Sequence, residues 1–188
     1  METTTVYHLE SPLPRWAIET AFGIMVLAAV LTVSHVSQYM YAHCAWLKAF
    51  INTIGDVVIY TALCLAMRRL PHPLKGWWIT LLVLVVAGCT TSLLRSVEAW
   101  RDAMEIGDVL IAGMTPLVYI PLGALLLAYY RGALAQAGVW MMIRSIVCNL
   151  LPIVWVLMGV NDDFIVLDIL YVAMNILYAW SLRRVLVR

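Results

Sequence analysis

This chain has 188 residues, 64% of them apolar and 12% charged, with a net charge of +1. Ordinary globular proteins are about half apolar and about a quarter charged, and a soluble fold of this size leaves roughly a third of its unfolded surface wet. The composition therefore excludes a water-soluble domain and fits a lipid bilayer, and the near-neutral charge points to no nucleic-acid partner.

The fold class expected is all-α: a polytopic integral membrane helical bundle of six transmembrane helices. About twenty residues cross the hydrocarbon core, and the spans fall at about 16–40, 46–67, 76–96, 106–130, 138–158 and 163–184 of a single domain, 1–188. Residues 1–14 are polar, with two prolines and two acids, and lack the basic leader of a cleavable signal. The first apolar stretch is therefore expected to remain as a span. It carries Glu19 near its start and ends in Thr32, Ser34, His35, Ser37 and Gln38.

The second span bears Asn52 and Thr53, then Asp56 ten residues in and twelve before Arg68. At 1.5 Å per residue, Asp56 lies near mid-membrane. An ionised aspartate there costs about 2.5–3.5 kcal/mol even on lenient insertion scales, so it should face the bundle and be protonated or paired. The third span closes on Thr90, Thr91, Ser92 and Arg95, and the fourth opens with Glu105 and Asp108. Collected together, these polar ends would form a vestibule with Asp56 at its floor and His35 as a proton relay. The competing explanation is that helices become polar as they approach the headgroups.

Pro116 and Pro121 in the fourth span and Pro152 in the fifth each remove a backbone hydrogen bond. A kink is expected there, with neighbours satisfying the freed carbonyls. Arg144, in the fifth span, either snorkels to the interface or turns inward, where Glu19 at similar depth would make an inner ion pair. Asp168, about fifteen residues before Arg183 in the sixth span, is expected near the middle as a second ion- or proton-binding group. Asp162, Asp163 and Asp168 weaken that span, so four spans plus an interfacial pair is the competing topology. Ile54-Gly55-Asp56-Val57 recurs as Ile106-Gly107-Asp108-Val109, and Asp168 sits in a third helix of the same direction. Three helical-hairpin repeats would account for this.

Arg15, Arg68, Arg69, Lys75, Arg131, Arg183, Arg184 and Arg188 fall on one side of these spans, against Lys48, Arg95 and Arg101 on the other. The positive-inside bias makes both termini cytoplasmic, and the short loops suit a bacterial inner (plasma) membrane. Tryptophans near both interfaces agree with these boundaries.

No enzyme signature occurs: there is no G-x-S-x-G, no H-E-x-x-H and no paired-aspartate phosphotransferase pattern. Cys44, Cys64, Cys89 and Cys148 form no C-x-x-C or disulfide framework. His35, Asp56 and Cys89 are single ligands on three helices, too loose for a metal site, and no cofactor is expected. The reading is a small cation- or proton-linked transporter or channel using Asp56, Asp168 and His35. Its partners would be the lipid bilayer and a second copy of the chain or another membrane protein. The alternative is a non-transporting anchor, sensor or accessory subunit, including a phage-type lysis or defence protein.

Overall fold

The computed structural model describes residues 9, 11–70, 74–152, 154 and 165–187; of Ser34, His35, Tyr41, Lys75, Glu105 and Ile165 it describes the backbone alone. Among the described residues there is no strand. The helices are α1 (Arg15–Val30), α2 (Ser34–His43), α3 (Ala45–Met67), α4 (Trp77–Arg95), α5 (Arg101–Tyr129), α6 (Ala133–Ser145) and α7 (Ile165–Leu186). Single 3-10 turns precede α4 and α5, and a π-helical segment, Ile146–Leu150, extends α6.

Five helices are long and apolar enough to cross a membrane: Ala45–Met67, Trp77–Arg95, Ile106–Tyr129, Ala133–Leu150 and Val166–Leu186. The span expected at 16–40 is not one helix. It is interrupted at Leu31–Val33, leaving a 16-residue and a 10-residue helix. The physical reason is local. Thr32 turns its hydroxyl onto the Ala29 carbonyl at 2.6 Å, its amide bonds Ala29 O and that of Val33 bonds Val30 O, which tightens the chain. Val33 then takes an extended conformation. Such tightening of the last turn into three-residue bonds is invisible to hydropathy.

The long helices form a closed ring in chain order: α1 against α3, then α4, α5, α6, α7, and α7 back against α1. The last two helices thus complete the bundle rather than lying apart from it. One core gathers Ile18, Leu81 and Leu134 from the starts of α1, α4 and α6 with Met67, Leu126 and Leu182 from the ends of α3, α5 and α7. Neighbours are therefore antiparallel. The buried core occupies this end of the bundle, where Arg15, Arg68, Arg69, Arg131, Arg183 and Arg184 also lie.

Two local features shape the α5–α6–α7 corner. Gly132, in the turn between α5 and α6, has φ +72°, a region that disfavours side chains. Further on, Pro152 has no N–H to offer the Cys148 carbonyl four residues back. That carbonyl accepts a hydrogen bond from the Tyr171 hydroxyl of α7 at 2.7 Å, and the helix relaxes into the π-turn at Ile146–Leu150. Tyr171→Phe should therefore lower stability by about 1 kcal/mol, read as a fall in the midpoint of unfolding in detergent. An unchanged midpoint would mean that the carbonyl finds another donor.

Candidate functional site

The opposite end of the ring is hollow. A cavity of about 390 Å³ is lined by residues of α3, α4, α5, the extended α6 and α7. A second cavity of about 200 Å³ lies towards α1 and shares Asn52, Asp56, Arg144 and Tyr171 with the first.

Each helix contributes a stripe at three- or four-residue spacing, which places side chains on one face. On α3 the stripe is Asn52, Asp56 and Tyr60, with Thr53 beside it. On α5 it is Asp108, Thr115 and Tyr119; α4 adds Gly88, Cys89 and Ser92. The α7 stripe is Tyr171, Asn175 and Tyr178. The π-turn after α6 lets Asn149 and Arg144 face the same space.

Three buried tyrosines lie at the deep end. Tyr119 donates to the Tyr60 hydroxyl at 2.8 Å, and Tyr60 to that of Tyr178 at 3.0 Å. The Tyr178 ring centroid lies 6.4 Å from that of Tyr60 and 6.2 Å from that of Tyr119. Below them Leu63, Met67, Leu122, Leu126 and Leu182 fill the bundle with apolar side chains. At the rim Arg95 pairs with Asp108 at 2.7 Å, and the buried Lys48 bonds Ser37 of α2.

Arg144 is held firmly. Its Nε donates to Asn175 Oδ1 at 2.7 Å, and Asn175 is itself oriented by its amide donating to the Tyr171 carbonyl at 2.8 Å. The guanidinium lies over the Tyr178 ring, 5.0 Å from its centroid, and 5.9 Å from that of Tyr119. Such contacts favour a cation away from bulk water. Asp56 and Arg144 line both cavities, so their opposite charges share one space. Beside Asp56, Asn52 Oδ1 and Thr53 Oγ1 are buried without a hydrogen-bond partner among the described residues, and a buried polar group left unmet costs about 1–3 kcal/mol.

The residues singled out in the sequence separate here. Asp56 sits at the midpoint of the 23-residue α3 and lines the cavity. Asp168 does not lie at mid-helix; it is in the first turn of α7, one turn before Tyr171 on the same face, and lines neither cavity. Within the described residues, Asp168 has almost the whole of α7 between it and Arg183. The side chain of His35 lies outside the described residues.

The expected Glu19–Arg144 pair is corrected. Glu19 is gripped by Arg183 through two hydrogen bonds of 2.5 and 2.6 Å, with Arg15 at 3.7 Å. Helix α7 intervenes between α1 and α6 in the ring, so Glu19 meets α7 first and Arg144 turns to Asn175.

Gly55 and Gly107, from the two Ile-Gly-Asp-Val segments, both stand close to a neighbouring helix, at Met25 and Thr91 respectively, and both following aspartates line the larger cavity. This likeness does not extend to Asp168. Among the described residues, no three His, Cys, Asp or Glu side chains come together as metal ligands.

The tyrosines, Asn149 and Asn175 were missed from sequence, although their spacing was readable: Asn52/Asp56/Tyr60 and Tyr171/Asn175/Tyr178 recur every three or four residues in otherwise apolar helices.

An all-helical bundle with five helices fit to span a bilayer defines a multi-pass membrane protein. No protein-family model, curated protein or solved structure matches the chain.

Proposed function

We propose that this protein is a small proton-linked membrane transporter in which Asp56 takes up and releases the proton. The observation that carries the reading is a carboxylate at the midpoint of a spanning helix, lining a polar cavity that is closed on one side by tyrosines and apolar side chains. A carboxylate in that setting is functional by default, and one-sided closure is what alternating access requires of a carrier at rest.

Of the cations a carboxylate attracts, the proton fits best. A metal cation needs several oxygen ligands, and Arg144 shares the space; a proton needs one carboxylate. Arg144, Cys89, Asp108, Tyr119 and Tyr171 line the cavity with Asp56 from the neighbouring helices, so Asp56 titrates among these groups. Asp168, one turn above Tyr171, would serve as an entry group. With the positive-inside bias, the cavity faces the exterior of a bacterial inner membrane and both termini are cytoplasmic.

A non-transporting sensor is the second reading, favoured by the filled core beneath the tyrosines. It shares the cavity but moves nothing across the membrane.

Cys89 tests the cavity directly, because it lines it while Cys64 and Cys148 are buried. With Cys44, Cys64 and Cys148 replaced, Cys89 should react with a small membrane-impermeant thiol reagent applied from the side bearing Lys48 and Arg95. It should stay protected from the side bearing Arg68 and Arg183. Protection from both sides would mean a dry bundle, and both readings would be abandoned.

A further inference from the structure

We infer that the cavity binds a small organic carboxylate through the guanidinium of Arg144. The proposal rests on the transporter reading only for what the bound anion then does, and not for the binding itself.

The guanidinium presents five N–H donors in a rigid fork. In Arg144 one of them, on Nε, is used by Asn175. The terminal nitrogens hydrogen-bond no carboxylate among the described residues: Glu19 bonds Arg183 and Asp108 bonds Arg95. The other fixed features set the plane and position of the fork. Asn175 is locked to the α7 backbone, and the Tyr178 ring lies against the guanidinium. A pre-oriented arginine that lines a cavity, its terminal nitrogens bonded to no carboxylate among the described residues, is the arrangement that captures a planar oxyanion through two parallel hydrogen bonds.

Cavity size sets the class. About 390 Å³, with about 200 Å³ adjoining it, is at the low end of volumes that hold small molecules. The tyrosine layer supplies an apolar face for a short carbon chain. Asp56, in the same space, repels a ligand carboxylate when ionised and ceases to do so when protonated. Anion and proton would therefore bind together, which is symport if the transporter reading holds.

The test is equilibrium binding of radiolabelled acetate, lactate and succinate to the purified full chain in detergent, with methylammonium as the opposite charge. Wild type should bind at least one of the carboxylates saturably, and methylammonium should not compete. Arg144→Lys keeps the charge but loses the planar fork, and should weaken binding about tenfold or more. Arg144→Gln should abolish it, and Arg184→Gln, outside the cavity, should leave it unchanged.

Methylammonium binding in place of the carboxylates, no saturable carboxylate binding to wild type, or equal binding by Arg144→Lys would each overturn the inference. The wild-type comparison stands even if the variants do not fold. Carboxylate bound through Arg144 without Asp56-dependent proton flux would sink the transporter reading and leave this inference standing. Asp56-dependent flux with no carboxylate bound would do the reverse.

Discussion

Gly138→Leu is expected to leave almost no folded protein, while Gly113→Ala is expected to be neutral or slightly stabilising. The difference lies in what a new Cβ would meet. At Gly138 it would stand 2.6 Å from the Gly123 carbonyl oxygen and 2.9 Å from Leu126 Cβ; at Gly123, 2.5 Å from the Gly138 oxygen and 2.6 Å from Met142 Cγ. Backbone oxygens cannot rotate aside, so α5 and α6 would have to part along their whole contact. In lipid that contact is held by close packing rather than by exclusion of water, and its loss has no compensating hydrophobic term.

Alanine at either position should cost about 1–3 kcal/mol, as overpacking does, and leucine more. Gly113, by contrast, has nothing among the described residues within 4 Å of an added Cβ, and Gly→Ala in a helix gains roughly 0.5–1 kcal/mol. Unfolding midpoints in SDS, read beside the yield of membrane-inserted protein, would decide it. A Gly138→Leu protein with the wild-type midpoint would mean that α5 and α6 do not cross this closely.

The second large effect is expected from Asp56→Asn: proton-linked uptake into proteoliposomes should fall to the level of empty vesicles, with insertion and unfolding midpoint retained. Asparagine has nearly the same shape and can still hydrogen-bond, so a packing role would survive the change. What it cannot do is gain and lose a proton. Asp56 lines a hollow, half-filled by polar groups, rather than the close-packed core around Ile59, Leu63 and Met67 on the same helix. Substitution should therefore disturb function before folding. If the variant fails to insert or unfolds early, Asp56 is a packing residue and the transporter reading loses its support.

Much of the architecture was legible because it depends on one dimension. Apolar runs of about twenty residues mark spanning helices, and four of the five span-length helices fall where hydropathy put them within a few residues; the fifth, Ala133–Leu150, begins five residues before the expected 138 and is described only as far as 154. The mid-helix place of Asp56 followed from counting residues along the span. The same counting failed for Asp168, because it needed the start of α7 and the acidic residues near it blurred that boundary. It failed also for the first span, where the amides of Thr32 and Val33 turn to carbonyls three residues back and the helix is interrupted. No spacing within one helix pointed to Gly123 and Gly138. Those two lie fifteen residues apart on different helices and meet only when α5 folds back on α6.

By itself, then, the sequence determined the apolar surroundings, the five span-length helices and the mid-helix place of Asp56, because each depends on apolar length and a residue count. Only the tertiary structure decided which charge meets which partner. Closing the ring in chain order sets α7 between α1 and α6, so Glu19 is taken by Arg183 and Arg144 is left to Asn175, the tyrosines and the cavity. A pairing is a distance in space, and no count along one helix contains it.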